Sequence, residues 1–169
     1  MRIAVVGVGL VGGEFINQLL KFPSPNPFRI VALTSSKTTV YAPDGLTITP
    51  ADWKQSLGQS GLKSDLPFLV RELSSLVKPG QDVVLVDNTS SNAVAALYPQ
   101  FLKSGVHVIT PNKKAFSAEL PLYESILSAS LESGAKFYNE ATVGAGLPII
   151  STLKDLVATG DQVPLNMVV

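Results

Sequence analysis

Short apolar runs alternate with longer stretches of helical period along this chain. Runs at 3–6 (IAVV), 28–33 (FRIVAL), 83–86 (VVLV) and 106–109 (VHVI) have strand length and many β-branched residues. Such runs mark strands covered on both faces of a mostly parallel sheet. Residues 136–138 open a further strand. Between them the apolar period lengthens to that of a helix. It does so over 10–21, with Val11, Phe15, Leu19 and Leu20, and over 66–77, with Phe68, Leu69, Leu73 and Leu76. It recurs over 92–103, over 117–133 with Leu120, Tyr123, Ile126 and Leu127, and after Pro148 with Ile149, Ile150, Leu153 and Leu156. Thr49-Pro50-Ala51-Asp52 reads as the start of a short helix through Leu57, with Thr at N-cap, Pro at the first position and an acid at the third. Pro23, Pro25 and Pro27 make a stiff connection, and Gly105, Gly134 and Gly160 stop helices.

The turn after the first strand reads Gly7-Val8-Gly9-Leu10-Val11-Gly12. Gly7 permits a tight turn, Gly9 lets a pyrophosphate approach the backbone, and Gly12 lets the helix pack close to the strand. The phosphates would meet unpaired N–H groups at the helix N-terminus. A GxGxxG alone is a weak signal, but a strand before it and a helix after it are the confirming context. The fold expected is therefore α/β: a Rossmann-type, doubly wound, mostly parallel sheet with helices on both faces. The alternative is a glycine-rich structural turn.

Composition narrows the function classes. Lys plus Arg and Asp plus Glu are 13 each, which argues against a nucleic-acid surface. No cysteine is present, so disulfides, thiolate metal sites and a cysteine nucleophile within the chain are excluded. No apolar run approaches the ~18 residues of a membrane span. The glycines and Glu14 break the N-terminal apolar run, against a signal peptide. A cytoplasmic protein is the expectation.

Candidate ligand contacts fall at the carboxyl ends of the strands, where open α/β sheets bind ligands. After the second strand comes Thr34-Ser35-Ser36-Lys37-Thr38-Thr39, with no carboxylate before Asp44. A carboxylate there would favour NAD, whereas hydroxyls and one ammonium suit the 2′-phosphate of NADP. Ser35 and Lys37 are the candidates, against the reading of an ordinary polar loop. After the strand at 83–86, Thr89 and Ser90 are placed to hydrogen-bond a cofactor; equally, Ser90 or Ser91 caps the next helix. His107 lies within a strand and reads as a packed or edge residue. Lys113, in the loop 110–117 (TPNKKAFS), is positioned to contact a nicotinamide or to support charge on a substrate oxygen, unless it is simply solvated. By spacing alone, the glycine-rich loop at 143–147 is a helix-capping turn or an anion nest.

Four stretches carry a resemblance: GVGLVG at 7–12, VDNTSS at 86–91, TPNKKAFS at 110–117 and NEATVGAGLPII at 139–150. Together and in this order, they resemble the nucleotide-binding part of homoserine dehydrogenase, nearest to the fungal monofunctional form. The resemblance implies hydride transfer between a nicotinamide and the pair aspartate semialdehyde and homoserine, in threonine, isoleucine and methionine synthesis. It implies Val8, Gly9, Leu10 and Val11 at the pyrophosphate, Thr89 and Ser90 at the cofactor, and Lys113 at the nicotinamide and substrate end. It also implies a sodium ion on Glu140, Val143, Ala145 and Leu147, largely through carbonyl oxygens. On this reading, 1–160 is the NAD(P)-binding domain and 161–169 enters a substrate domain absent from the chain. That absent domain would carry the main acid/base lysine, the carboxylates for the substrate amine and most of a homodimer interface. The chain alone would bind cofactor and turn over poorly. Two rival readings remain: a related nicotinamide oxidoreductase for another small carbonyl compound, and a non-catalytic NAD(P)-sensing domain.

Overall fold

The computed structural model describes residues 1–117 and 119–160. The expected entry to a substrate domain at 161–169 therefore lies outside the described residues. Six strands form one sheet in the order β3-β2-β1-β4-β5-β6. These are β1 (Arg2–Val6), β2 (Arg29–Thr34), β3 (Thr39–Tyr41), β4 (Val83–Asp87), β5 (His107–Ile109) and β6 (Phe137–Tyr138). All neighbours pair parallel except β3, which runs antiparallel to β2 at the edge. The doubly wound sheet expected from the alternation of elements is the one observed.

The side-chain alternation of the central strands splits the interior in two. Ile3 and Val5 face one core with α1 (Leu10–Leu20) and α2 (Trp53–Gly58), represented by Ile16, Leu19, Trp53 and Leu57. Ala4 and Val6 face the other. That second core includes Leu69 and Leu73 of α3 (Leu66–Ser75), Phe101 and Leu102 of α5 (Tyr98–Lys103), and Ile126 and Ala129 of α7 (Leu120–Ser133). A strand with a two-residue period buried on both faces has to be apolar throughout, which is why β1 and β4 read as unbroken runs.

Several boundaries differ from the expected ones, each for a local reason. The stretch 92–103 forms two helices, α4 (Asn92–Ala95) and α5, because Pro99 sits in the first turn of α5 and is accommodated only at a helix start. The stretch expected as one helix from 117 is divided into α6 (Lys114–Ser117) and α7, whose first turn contains Pro121. The helix expected from Thr49 begins at Trp53, with Asp52 as its N-cap, although the Asp52 carboxylate does reach back: its Oδ1 accepts the N–H of Thr49 at 2.6 Å. The edge strand β3 is an addition to the expected elements. So is the single 3₁₀ turn Glu140–Thr142 that precedes α8 (Ile149–Ala158). α8 has the expected amphipathic stripe yet buries no residue among those described.

Candidate functional site

The order of the sheet reverses between β1 and β4, and the loops leaving these two strands diverge there. A cleft of about 620 Å³ opens at that point. Val6, Gly7, Val8 and Gly9 line it from one side and Thr89, Ser90, Ser91 and Val94 from the other. Thr34, Ser35, Ser36, Ser64 and Leu66 close the end beyond β2. This is the position at which doubly wound sheets hold dinucleotides.

The glycine turn is shaped by three different demands. Gly7 has φ of +85°, and a Cβ there would fall 2.7 Å from Thr89 Cγ2 and 2.8 Å from the carbonyl carbon of Asn88. A Cβ on Gly12 would lie 1.9 Å from the Gly7 carbonyl oxygen. Protein atoms therefore require both glycines. Gly9 differs, since a Cβ there meets nothing within 4 Å. It is the N-cap of α1, no side chain caps that end, and it faces the cleft. Packing therefore does not demand glycine here, although glycine is a favoured N-cap, and the bare backbone leaves the helix end open to the cleft. Unpaired N–H groups with the positive end of the helix dipole provide a seat for an anion there.

The expected contacts do not all point into this cleft. Val8 and Gly9 line it, whereas Leu10 and Val11 are exposed and Gly12 is buried under the turn. Ser35 lines the cleft, but its hydroxyl is committed to its own loop. It donates to the Thr38 carbonyl at 3.1 Å and accepts the N–H groups of Lys37 and Thr38. Lys37 is exposed and not among the lining residues. Ser36 and Ser64 are additional hydroxyls. Ser64 arrives because its N–H donates to the Lys37 carbonyl at 2.9 Å, drawing the loop before α3 against the one after β2. Ser91 is the helix cap, accepting the Val94 N–H at 3.3 Å, and this leaves the exposed Ser90 hydroxyl facing the cleft.

Lys113 belongs to a second cavity of about 530 Å³, with Phe116, Ser117, Thr142, Val143, Gly144 and Ala145. The structure thus brings Lys113 to the 143–145 loop and not to the first cleft. Glu140 caps α8 through its carboxylate, accepting the N–H of Ile150 at 2.8 Å and of Ser151 at 3.1 Å. The cap therefore comes from Glu140, ahead of the 143–147 stretch for which a capping turn was one expectation. His107 opens β5, an interior strand flanked by β4 and β6, so of the two expected roles it is the packed one, half-buried: its Nδ1 accepts the Lys136 N–H at 2.8 Å.

Behind the two loops lies a polar cluster that sequence reasoning missed. Asp87 ends β4 with no exposed surface. Its Oδ1 accepts the Thr89 N–H at 2.8 Å, and its Oδ2 accepts the Tyr98 hydroxyl and, at 3.0 Å, the Asn112 side-chain amide. The same amide donates to the Ser91 carbonyl at 3.1 Å, and Asn112 Oδ1 accepts the Lys114 N–H at 3.0 Å. Thr110 Oγ1 donates to the Asp87 carbonyl at 2.9 Å and accepts the Asn112 N–H at 2.8 Å. Burial and the adjacent Asp87 carboxylate push the Tyr98 phenol well above its ordinary range. The available signal was a carboxylate closing an otherwise apolar strand.

Residues 7–140 match the family described as homoserine dehydrogenase, NAD binding domain. This chain belongs to that family. A homoserine dehydrogenase of Schizosaccharomyces pombe is 44% identical over 169 residues, covering 96% of this chain and 44% of that protein. A crystal structure of a Candida auris protein of unknown function superimposes with a TM-score of 0.78 at 40% identity, covering 96% of this chain and 44% of that one. A mutant hyperthermophilic archaeal homoserine dehydrogenase in complex with NADPH gives a TM-score of 0.67 at 25% identity, covering 93% and 49%. The chain therefore spans about half the length of the relatives it matches, and the part it spans is an NAD(P)-binding domain. Among the described residues, no helix is long and apolar enough to cross a membrane.

Proposed function

We propose that this chain is the dinucleotide-holding part of an NAD(P)-dependent homoserine dehydrogenase, which interconverts aspartate semialdehyde and homoserine. The observation that carries the reading is Gly9: a bare N-cap that the protein's own packing does not require, at the mouth of the switch-point cleft. The family and the archaeal neighbour's bound NADPH support it. When bound, the nicotinamide supplies hydride-transfer chemistry. The chain's own residues bind and orient it. The N–H groups opening α1 take the pyrophosphate, and Thr89 and Ser90 flank the middle of the cleft. Lys113, in the second cavity, takes the nicotinamide and substrate end.

NADP is the favoured cofactor in this proposal. The end of the cleft beyond β2 presents Ser35, Ser36 and Ser64 and no carboxylate, and the exposed Lys37 follows Ser36 in the same loop. Sodium is proposed at the 143–147 loop. No group of three or more His, Cys, Asp or Glu is available for a metal among the described residues, so a cation there would depend on carbonyl oxygens. Those of Val143 and Ala145 accept no backbone hydrogen bond among the described residues, whereas those of Glu140 and Leu147 do. Carbonyl oxygens suit a hard cation. Residues 1–160 are proposed as the dinucleotide domain, acting beside a substrate domain that also dimerises. The proposed site of action is cytoplasmic.

Titrating NADPH and NADH into the 169-residue protein tests the binding reading. Saturable binding with tighter NADPH is expected, and no binding of either would overturn it. Assaying homoserine oxidation in a polypeptide that joins this chain to the second half of a relative tests the activity.

A further inference from the structure

Asp87 and Asn112 send their hydrogen bonds into two different loops. A buried carboxylate is costly unless its lone pairs are satisfied, and the ion pairs found among the described residues do not include Asp87. It is satisfied instead by neutral donors: the Thr89 N–H of loop 88–91, the Asn112 amide of loop 110–113, and the Tyr98 hydroxyl from α5. Asn112 closes the circuit by holding the Ser91 carbonyl and the Lys114 N–H. Tyr98 and Asn112 are themselves buried, and Tyr98 belongs to the core cluster of α5 and α7. The arrangement has a direction. The core fixes Tyr98, Tyr98 fixes the carboxylate, and the carboxylate with Asn112 fixes the backbone on either side of Ser90 and Lys113.

We propose that Asp87, Tyr98 and Asn112 are positioning residues. They hold the loop of Thr89 and Ser90 and the loop of Lys113 at one relative spacing, so that both ends of the ligand are registered by a single buried device. None of the three lines either cavity. The proposal rests on the dinucleotide reading for what the loops hold. A merely stabilising cluster would lower the melting temperature and do nothing else. A positioning cluster couples the loops: damage at Asn112 loosens 88–91, and damage at Tyr98 loosens both, although its hydroxyl bonds to neither loop's backbone N–H groups.

The test compares Tyr98→Phe, Asn112→Ala and a control, Leu73→Ala, which removes a buried side chain from the same core. Two quantities are read in the 169-residue protein: amide exchange at Thr89, Ser91 and Lys114, and the Kd for NADPH. For Tyr98→Phe and Asn112→Ala, exchange is expected to accelerate in both loops. The Kd should rise about tenfold, the scale of one charge-assisted hydrogen bond. Leu73→Ala should lower the melting temperature at least as far while leaving loop exchange and Kd unchanged. If the two cluster variants behave like the control, the proposal is overturned. If the unmodified protein binds no NADPH, the dinucleotide reading fails separately, and the exchange data still decide whether the cluster couples the loops.

Discussion

Gly12 sits where α1 comes closest to the strand it leaves, and a single methyl there would fall 1.9 Å from the Gly7 carbonyl oxygen. Since that contact is backbone, the strain cannot be relieved by a side-chain turn. Gly12→Ala is expected to cost about 1–3 kcal/mol, as overpacked sites do, and to abolish NADPH binding by tilting the helix entrance. Denaturant unfolding and a binding titration check both. Tyr98 makes a second prediction. Its phenol is held above its ordinary value of 10.0 by burial and Asp87, so the folded chain binds that proton more tightly than the unfolded one. The stability this contributes is complete below about pH 10 and declines as the pH rises beyond it. Tyr98→Phe should flatten that alkaline decline in a series of melts from pH 8 to about 11. The glycines were readable because each obeys a local rule. Asp87 and Asn112 were not, because they lie 25 positions apart and only the folded sheet brings them together.

Among the elements, α8 depends most on one side chain. It buries no residue among those described, so packing contributes little to it, and the Glu140 carboxylate on its first N–H groups is its visible anchor. Glu140→Ala is expected to fray α8, with amide protection lost at Ile150 and Ser151 and about 1 kcal/mol of local stability removed. The midpoint of global unfolding should barely move. Helix and strand identities were legible from period and breakers. Breaks inside helical stretches were less so: 92–103 read as one helix, whereas Pro99 lacks the N–H that a helix interior needs and sits in the first turn of a new helix. The edge strand β3 has only Thr39, Val40 and Tyr41 within a polar loop, too few to reveal a two-residue period.

For the whole molecule, the layered sheet followed from the sequence because unbroken apolar strands are stable only with helices on both faces. The walls of the cleft did not follow as fully. Ser64 reaches it through a backbone hydrogen bond to Lys37, and Lys113 was found in a separate cavity. Because no carboxylate faces the end beyond β2, NADPH is expected to bind at least several-fold more tightly than NADH, and Lys37→Glu should reverse that order in paired titrations. The 169-residue protein mixed with homoserine and NADP should give little turnover, as followed by NADPH absorbance.

The most direct test of the dinucleotide assignment is Gly9→Ala, measured for stability and for NADPH affinity in the same preparation. A Cβ there meets no protein atom, so stability should stay within about 1 kcal/mol of the parent while affinity falls by an order of magnitude or more. Unchanged affinity at unchanged stability would mean that no ligand approaches that backbone, and would contradict the assignment.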